Sequence, residues 1–262
     1  MAARWDIRSL GNIVRGGRGR DSHAETDPRL EDLAGLDPGD LPIIERALPY
    51  TMTSVMRLRA LVDAVRYCDS AKIPGAFVEC GVWRGGSVLT MIATLQAAAS
   101  EERDIYLYDT FEGMTEPTEH DRSQFGPPAL ETWREAADGE QRPWPEFFGG
   151  EVFNEEGVRR LLESTGYSAD RLHFVRGPVE ETVPALAPDQ IALLRLDTDW
   201  YESTLHEMRH LYPRLAAGGV LLIDDYGHWE GARRAIDEYL EEAEIRLLLT
   251  AVDYTGRVAV KR

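Results

Sequence analysis

VECGVWRGGSV, residues 78–88, runs from an apolar strand through a glycine-rich turn into the start of a helix. Gly81, Gly85 and Gly86 let the backbone approach a ligand closely, and the helix start offers free N–H groups. The spacing is not the G-x-G-x-x-G of dinucleotide binders, which argues against a pyrophosphate. Glu79 argues the same way, because its charge would repel a phosphate. A carboxylate there suits the ammonium group of a methionine moiety instead. The plainer alternative is a tight turn needed only for strand–helix packing.

Outward from this turn the chain alternates. AFVECG (76–81) reads as a buried strand, and Ser87 to Ala99 as a helix. DIYLYD (104–109), RLHFVRG (171–177), IALLRLD (191–197) and GVLLIDD (219–225) read as further strands. A helix is expected from Tyr201 to Leu215, stopped by Gly218-Gly219. EIRLLLTAVD and RVAVKR, joined by a turn at Tyr254-Thr255-Gly256, read as a closing hairpin. Strands alternating with helices imply right-handed crossovers and a parallel α/β sheet of Rossmann-like type. Residues 1–40 are polar and rich in Gly, Arg and Asp, and are expected to form a flexible arm or a dimer contact. Residues 41–262 then form the working domain. From Glu112 to about Glu151 lies an irregular stretch with five prolines, Trp133, Trp144, Phe147 and Phe148. A loop of that length inside a compact domain is expected to be functional, most simply a lid.

Two further segments carry chemistry. Asp109 ends a strand in YLYDTFEG, where a carboxylate can accept the ribose hydroxyls of an adenosine. LLRLDTDWYEST (193–204) and LLIDDYGHW (221–229) place Asp197, Asp199, Asp224 and Asp225 at the C-terminal ends of two strands. In an open parallel sheet both ends face one crevice, and neighbouring strands lie about 4.8 Å apart. Four carboxylates there would repel one another, and burial raises the cost. A divalent cation resolves this, and an all-oxygen set suits Mg²⁺. Capping of the following helices explains one Asp per strand, and explains two pairs poorly.

The 262 residues suit a globular protein with a sizeable core. The net charge of -17 disfavours nucleic acid. No apolar run reaches the roughly 18 residues of a membrane span, and the N-terminus does not read as a secretory signal. Cys68 and Cys80 do not make a disulfide framework, so a reducing cytoplasm is expected. His206 and His210 share a helix face without an H-E-x-x-H pattern, and no Walker loop or Ser-His-Asp elbow occurs.

Together VECGVWRGGSV, YDTFEGM, RLDTDWYEST and IDDYGHWEGARRAIDEY resemble the macrocin-type O-methyltransferases, from about Leu41 to the C-terminus. These act on deoxysugars of macrolides and related antibiotics, including the noviose of aminocoumarins. The resemblance implies a mostly parallel seven-stranded sheet with a C-terminal antiparallel hairpin and a lid insertion. It implies S-adenosylmethionine contacts from Glu79, Gly81, Ser87 and Asp109, with Gly85 in the turn. PYTMTSVMRL (49–58) resembles the family's element that closes over the cofactor and offers Thr51, Met52 and Thr53. Mg²⁺ is implied on Asp197, Asp224 and Asp225. Asp199, two residues beyond Asp197, is the candidate general base, expected to point away from the ion. The expected acceptor is a small glycosylated natural product. A catechol or phenol O-methyltransferase would share the metal logic; a non-catalytic adenosine-nucleotide binder would not need four aspartates.

Overall fold

The computed structural model describes residue 33 and residues 36–100, 102–149 and 153–262. The expected N-terminal arm lies almost wholly outside the described residues. Five parallel strands form the centre of one sheet: β1 (Ala76–Cys80), β2 (Ile105–Asp109), β3 (Leu172–Arg176), β4 (Ile191–Leu196) and β5 (Leu215–Ile223). The short strands β6 (Thr250–Ala251) and β7 (Arg257–Val260) complete it, with β7 antiparallel to β5 and β6 antiparallel to β7. The order is β3-β2-β1-β4-β5-β7-β6. The seven-stranded Rossmann-like sheet with its closing hairpin is therefore present.

The helices are α1 (Leu41–Ala47), α2 (Val55–Ser70), α3 (Gly86–Ala97), α4 (Ala129–Asp138), α5 (Pro145–Phe148), α6 (Glu155–Glu163), α7 (Val179–Thr182), α8 (Tyr201–His210) and α9 (Glu230–Glu242). Every residue of β1 and β4 is buried, as expected of strands covered on both faces. One core joins α2, α3 and α6 to the sheet through Leu61, Phe77, Leu89, Ile92, Leu162 and Leu193. A second joins α8 and α9 to the opposite face through Leu194, Met208, Leu221 and Ile236. Strand order reverses between β1 and β4, so the ligand crevice opens above their C-terminal ends.

Three expectations need correction. The helix from Tyr201 ends at His210, not Leu215, and β5 begins at Leu215. Pro213 lacks the N–H that would extend the helix. Gly218 and Gly219 lie inside β5 rather than terminating a helix. Gly218 takes φ +80, its N–H donates to the Lys261 carbonyl at 2.7 Å, and Lys261 N–H donates to Gly219 at 2.8 Å. The glycines therefore mark an irregularity where the chain end pairs with the sheet. Of the segment EIRLLLTAVD only Thr250 and Ala251 join the ladder. The 112–149 stretch is not wholly irregular, since it contains α4 and α5.

Candidate active site

A cavity of about 390 Å³ opens above the C-terminal ends of the strands. Its floor comes from the strand ends, one wall from residues 50–57, and its cover from residues 113–148. Gly81 belongs to the floor. With φ +83 it has no room for a Cβ, which would lie 2.0 Å from the Asp197 carbonyl oxygen. Only glycine lets the ends of β1 and β4 come so close. Gly86 packs likewise under Tyr50 and Thr51, bringing the N-terminal segment onto the turn.

The expected cofactor residues separate into two groups. Thr51, Met52, Thr53, Gly81, Ser87 and Asp109 line the cavity. Glu79 and Gly85 do not. The Glu79 carboxylate lies below the floor, where Arg195 Nη1 donates to it at 2.5 Å. Gly85 faces Val158 of α6. Asp109 organises the turn itself. Its Oδ2 accepts the N–H groups of Val82 and Trp83 at 2.7 and 2.9 Å, and its Oδ1 that of Phe111 at 2.7 Å. Burial raises its pKa, opposed by these three donors.

The four aspartates converge as expected, but differ in their partners. Oxygens of Asp197, Asp199 and Asp225 lie within 4.8 Å of one another. Asp225 Oδ2 is buried and receives no donor among the described residues. Burial holds Asp225 well above the usual carboxylate range, reinforced by Asp199 and Asp224. Burial likewise raises Asp197 against the pull of Arg195, and carries Asp199 up to about 7. Asp199 therefore does not point away from its neighbours. Its backbone takes φ +68, and its carboxyl meets that of Asp225. Asp224 is the exception. Its Oδ1 accepts Arg195 Nη2 at 2.6 Å, Arg57 Nη1 bonds its Oδ2, and these cations overcome burial to lower its pKa. An all-oxygen group with an orphaned buried acceptor fits a hard cation such as Mg²⁺.

The aspartates do not cap the helices that follow them. The first turn of α8 is bonded from the cover, where Asp121 Oδ1 accepts Tyr201 N–H at 2.8 Å. At α9, Glu230 N–H donates to the Arg122 carbonyl at 2.9 Å. The cover is also tied down by Trp83 Nε1 donating to Phe147 and Trp200 Nε1 donating to Thr115. Trp144, Trp200 and Trp229 stack edge-on or tilted along the cavity, with centroids 5.8 and 5.0 Å apart. At the mouth, Phe125 stacks on His228 at 5.2 Å and meets Tyr254 at 5.6 Å. Phe125 and Tyr254 are about half exposed.

Arg57, Arg195 and the Trp200–Trp229 wall were not singled out in the sequence. Arg195 had a signal: a lone cation in the apolar run IALLRL must be paired once buried. Arg57 had none, since it occupies an ordinary position of an amphipathic helix.

Fold, cofactor crevice and strand-end acids together define an S-adenosylmethionine-dependent O-methyltransferase. Residues 39–261 match the family model of the macrocin O-methyltransferases, TylF, and the chain belongs to that family. It is 33% identical over 236 residues to 8-demethyl-8-(2,3-dimethoxy-alpha-L-rhamnosyl)-tetracenomycin-C 4'-O-methyltransferase of Streptomyces olivaceus, covering 90% of this chain and 81% of that protein. It is 30% identical over 207 residues to mycinamicin III 3''-O-methyltransferase of Micromonospora griseorubida, covering 79% and 76%. Among solved structures, the O-methyltransferase NovP superposes with a TM-score of 0.68 at 28% identity, covering 81% of this chain and 82% of that one. Among the described residues no helix is long and apolar enough to cross a membrane.

Proposed function

We propose that this enzyme methylates a deoxysugar hydroxyl of a glycosylated antibiotic in a Mg²⁺-dependent reaction. The observation that carries this is the group Asp197, Asp199 and Asp225 on the cavity floor, with its orphaned oxygen. Its relatives' names supply the acceptor class, since they act on rhamnosyl, novobiocin and mycinamicin substrates.

S-adenosylmethionine supplies the methyl group, and bound Mg²⁺ would acidify and orient a sugar hydroxyl. Thr51, Met52, Thr53, Gly81 and Ser87 are proposed to hold the cofactor over the floor, with Asp109, which also lines the cavity, as the partner of a ribose hydroxyl. Asp197 and Asp225 would hold the ion. Asp199, in the same group, is the proposed acceptor of the hydroxyl proton. Asp224, expected as a ligand, is clamped by Arg57 and Arg195 and joins the set only where Arg57 gives way. Trp144, Trp200 and Trp229 wall in the sugar, and residues 112–149 act as the lid that excludes water. Phe125 and Tyr254 at the mouth receive the aglycone.

The test is methyl transfer from labelled S-adenosylmethionine to a panel of desmethyl antibiotic glycosides, with EDTA and with Mg²⁺ restored. Activity abolished by chelation and restored by Mg²⁺ is expected. Activity that survives thorough chelation refutes the metal reading. Mn²⁺ affinity in Asp224→Asn then separates the ligand sets: unchanged affinity leaves the ion on Asp197 and Asp225, and a loss makes Asp224 a ligand.

A further inference from the structure

Beneath the floor lies a buried acid that the proposed chemistry does not use. Glu207, on α8, is fully buried, and its Oε1 accepts the Thr198 hydroxyl at 3.0 Å. Its Oε2 is also buried and meets no nitrogen or oxygen donor among the described residues. The Cys80 thiol of β1 lies against the same carboxyl. A carboxyl in that position is costly, because its neighbours on the helix, Leu205 and Met208, pack into the apolar core. A methionine would fill the space without the cost.

Thr198 explains the acid. It stands between Asp197 and Asp199, so its anchorage sets where both carboxylates point. The segment is held on its other side too. The Thr198 carbonyl accepts Trp200 N–H at 2.8 Å and the Ser203 hydroxyl at 3.5 Å. Asp199 follows in a left-handed conformation, φ +68, which an aspartate keeps only when its surroundings enforce it. We propose that Glu207 is a positioning residue: through the Thr198 hydroxyl it holds the Asp197-Thr198-Asp199 turn in the shape that aims two carboxylates into the cavity. The inference rests on the Mg²⁺ reading above for its first readout, and on methyl transfer for its second. Outer partners of this kind typically set metal affinity by ten- to a hundredfold. Burial pushes the Glu207 carboxyl well above its ordinary range. Burial thus favours its neutral form, for which glutamine is the close replacement.

Four variants test this: Glu207→Met, Glu207→Gln, Thr198→Val and the double Glu207→Met/Thr198→Val. Mn²⁺ binding is followed by electron paramagnetic resonance, S-adenosylhomocysteine binding by calorimetry, and kcat and KM by methyl transfer. Glu207→Met and Thr198→Val should each weaken Mn²⁺ binding about tenfold or more and lower kcat, with S-adenosylhomocysteine affinity within about twofold. Glu207→Gln should stay within about threefold of wild type, and the double variant should be no worse than either single one. Unchanged Mn²⁺ affinity and kcat in Thr198→Val overturn the proposal, as do losses that add in the double variant. If Glu207→Met fails to fold, the near-isosteric Thr198→Val carries the same test. Wild-type protein that takes up no Mn²⁺ refutes the metal reading instead. In that case kcat at unchanged S-adenosylhomocysteine affinity decides the role of Glu207: a fall in Thr198→Val supports it and no fall overturns it.

Discussion

Replacing Arg195 by methionine should strip the floor of its main counter-charge. Arg195 is 4% exposed in β4 and reaches Glu79 at 2.5 Å, Asp197 at 2.7 Å and Asp224 at 2.6 Å. Methionine keeps most of the apolar stem, so the change is chiefly electrostatic. Removing one partner of a buried ion pair costs roughly 3–5 kcal/mol, because the remaining charge is left buried and uncompensated. For a domain of this size that corresponds to a fall in melting temperature of roughly 6–20 °C. The assay is urea unfolding followed by circular dichroism, repeated with added Mg²⁺. A cation that binds the folded state alone stabilises it by mass action, and carboxylates freed of Arg195 should bind it more tightly than in wild type, so the deficit should shrink as Mg²⁺ rises. Glu79→Gln placed in the Arg195→Met background should recover part of the loss. A deficit under about 1 kcal/mol, the value of an exposed ion pair, would refute the view that these carboxylates depend on Arg195.

Three further outcomes are expected. Burial raises Glu79 to about 7 from an ordinary 4.5, against the opposing pull of Arg195. The folded protein therefore retains a proton that the unfolded chain gives up, so this contribution is complete below about pH 4.5 and drains away as pH rises to about 7. At 1.36 kcal/mol per pH unit, wild type should lose about 3 kcal/mol relative to Glu79→Gln across that window in urea unfolding; parallel curves would contradict the shift. Gly81→Ala would force a Cβ against the Asp197 carbonyl at a left-handed φ, and should weaken S-adenosylhomocysteine binding at least about tenfold by calorimetry while lowering the melting temperature; wild-type binding would show that the strand ends can part freely. Phe125→Ala should raise acceptor KM about five- to tenfold at nearly constant kcat, as loss of one aromatic contact implies; a fall in kcat with KM unchanged would remove Phe125 from the acceptor mouth.

Much of this protein was legible in its sequence because the signals are local. Each strand of the parallel centre is a short apolar run bounded by charge, and the Gly81–Gly86 turn states its own geometry. The convergence of Asp197 and Asp199 with Asp224 and Asp225 followed from strand-end logic alone. Where local signals misled, a longer-range contact decided. Gly218-Gly219 looks like a helix stop, yet Lys261 pairs with those residues and makes them part of β5.

Which acid does what was decided by tertiary structure. Asp224 and Asp225 are neighbours with the same side chain, but two arginines from α2 and β4 converge on Asp224 and leave an oxygen of Asp225 bare. Glu79 reads as a cofactor ligand by its place before the turn, and only the fold sets Arg195 beside it on the next strand, donating to its carboxylate. No spacing rule encodes either outcome. Sequence order fixes which strand end a carboxylate occupies, whereas its charge state depends on how many cations and carboxylates the folded chain brings within a few ångströms, and on how much water it removes.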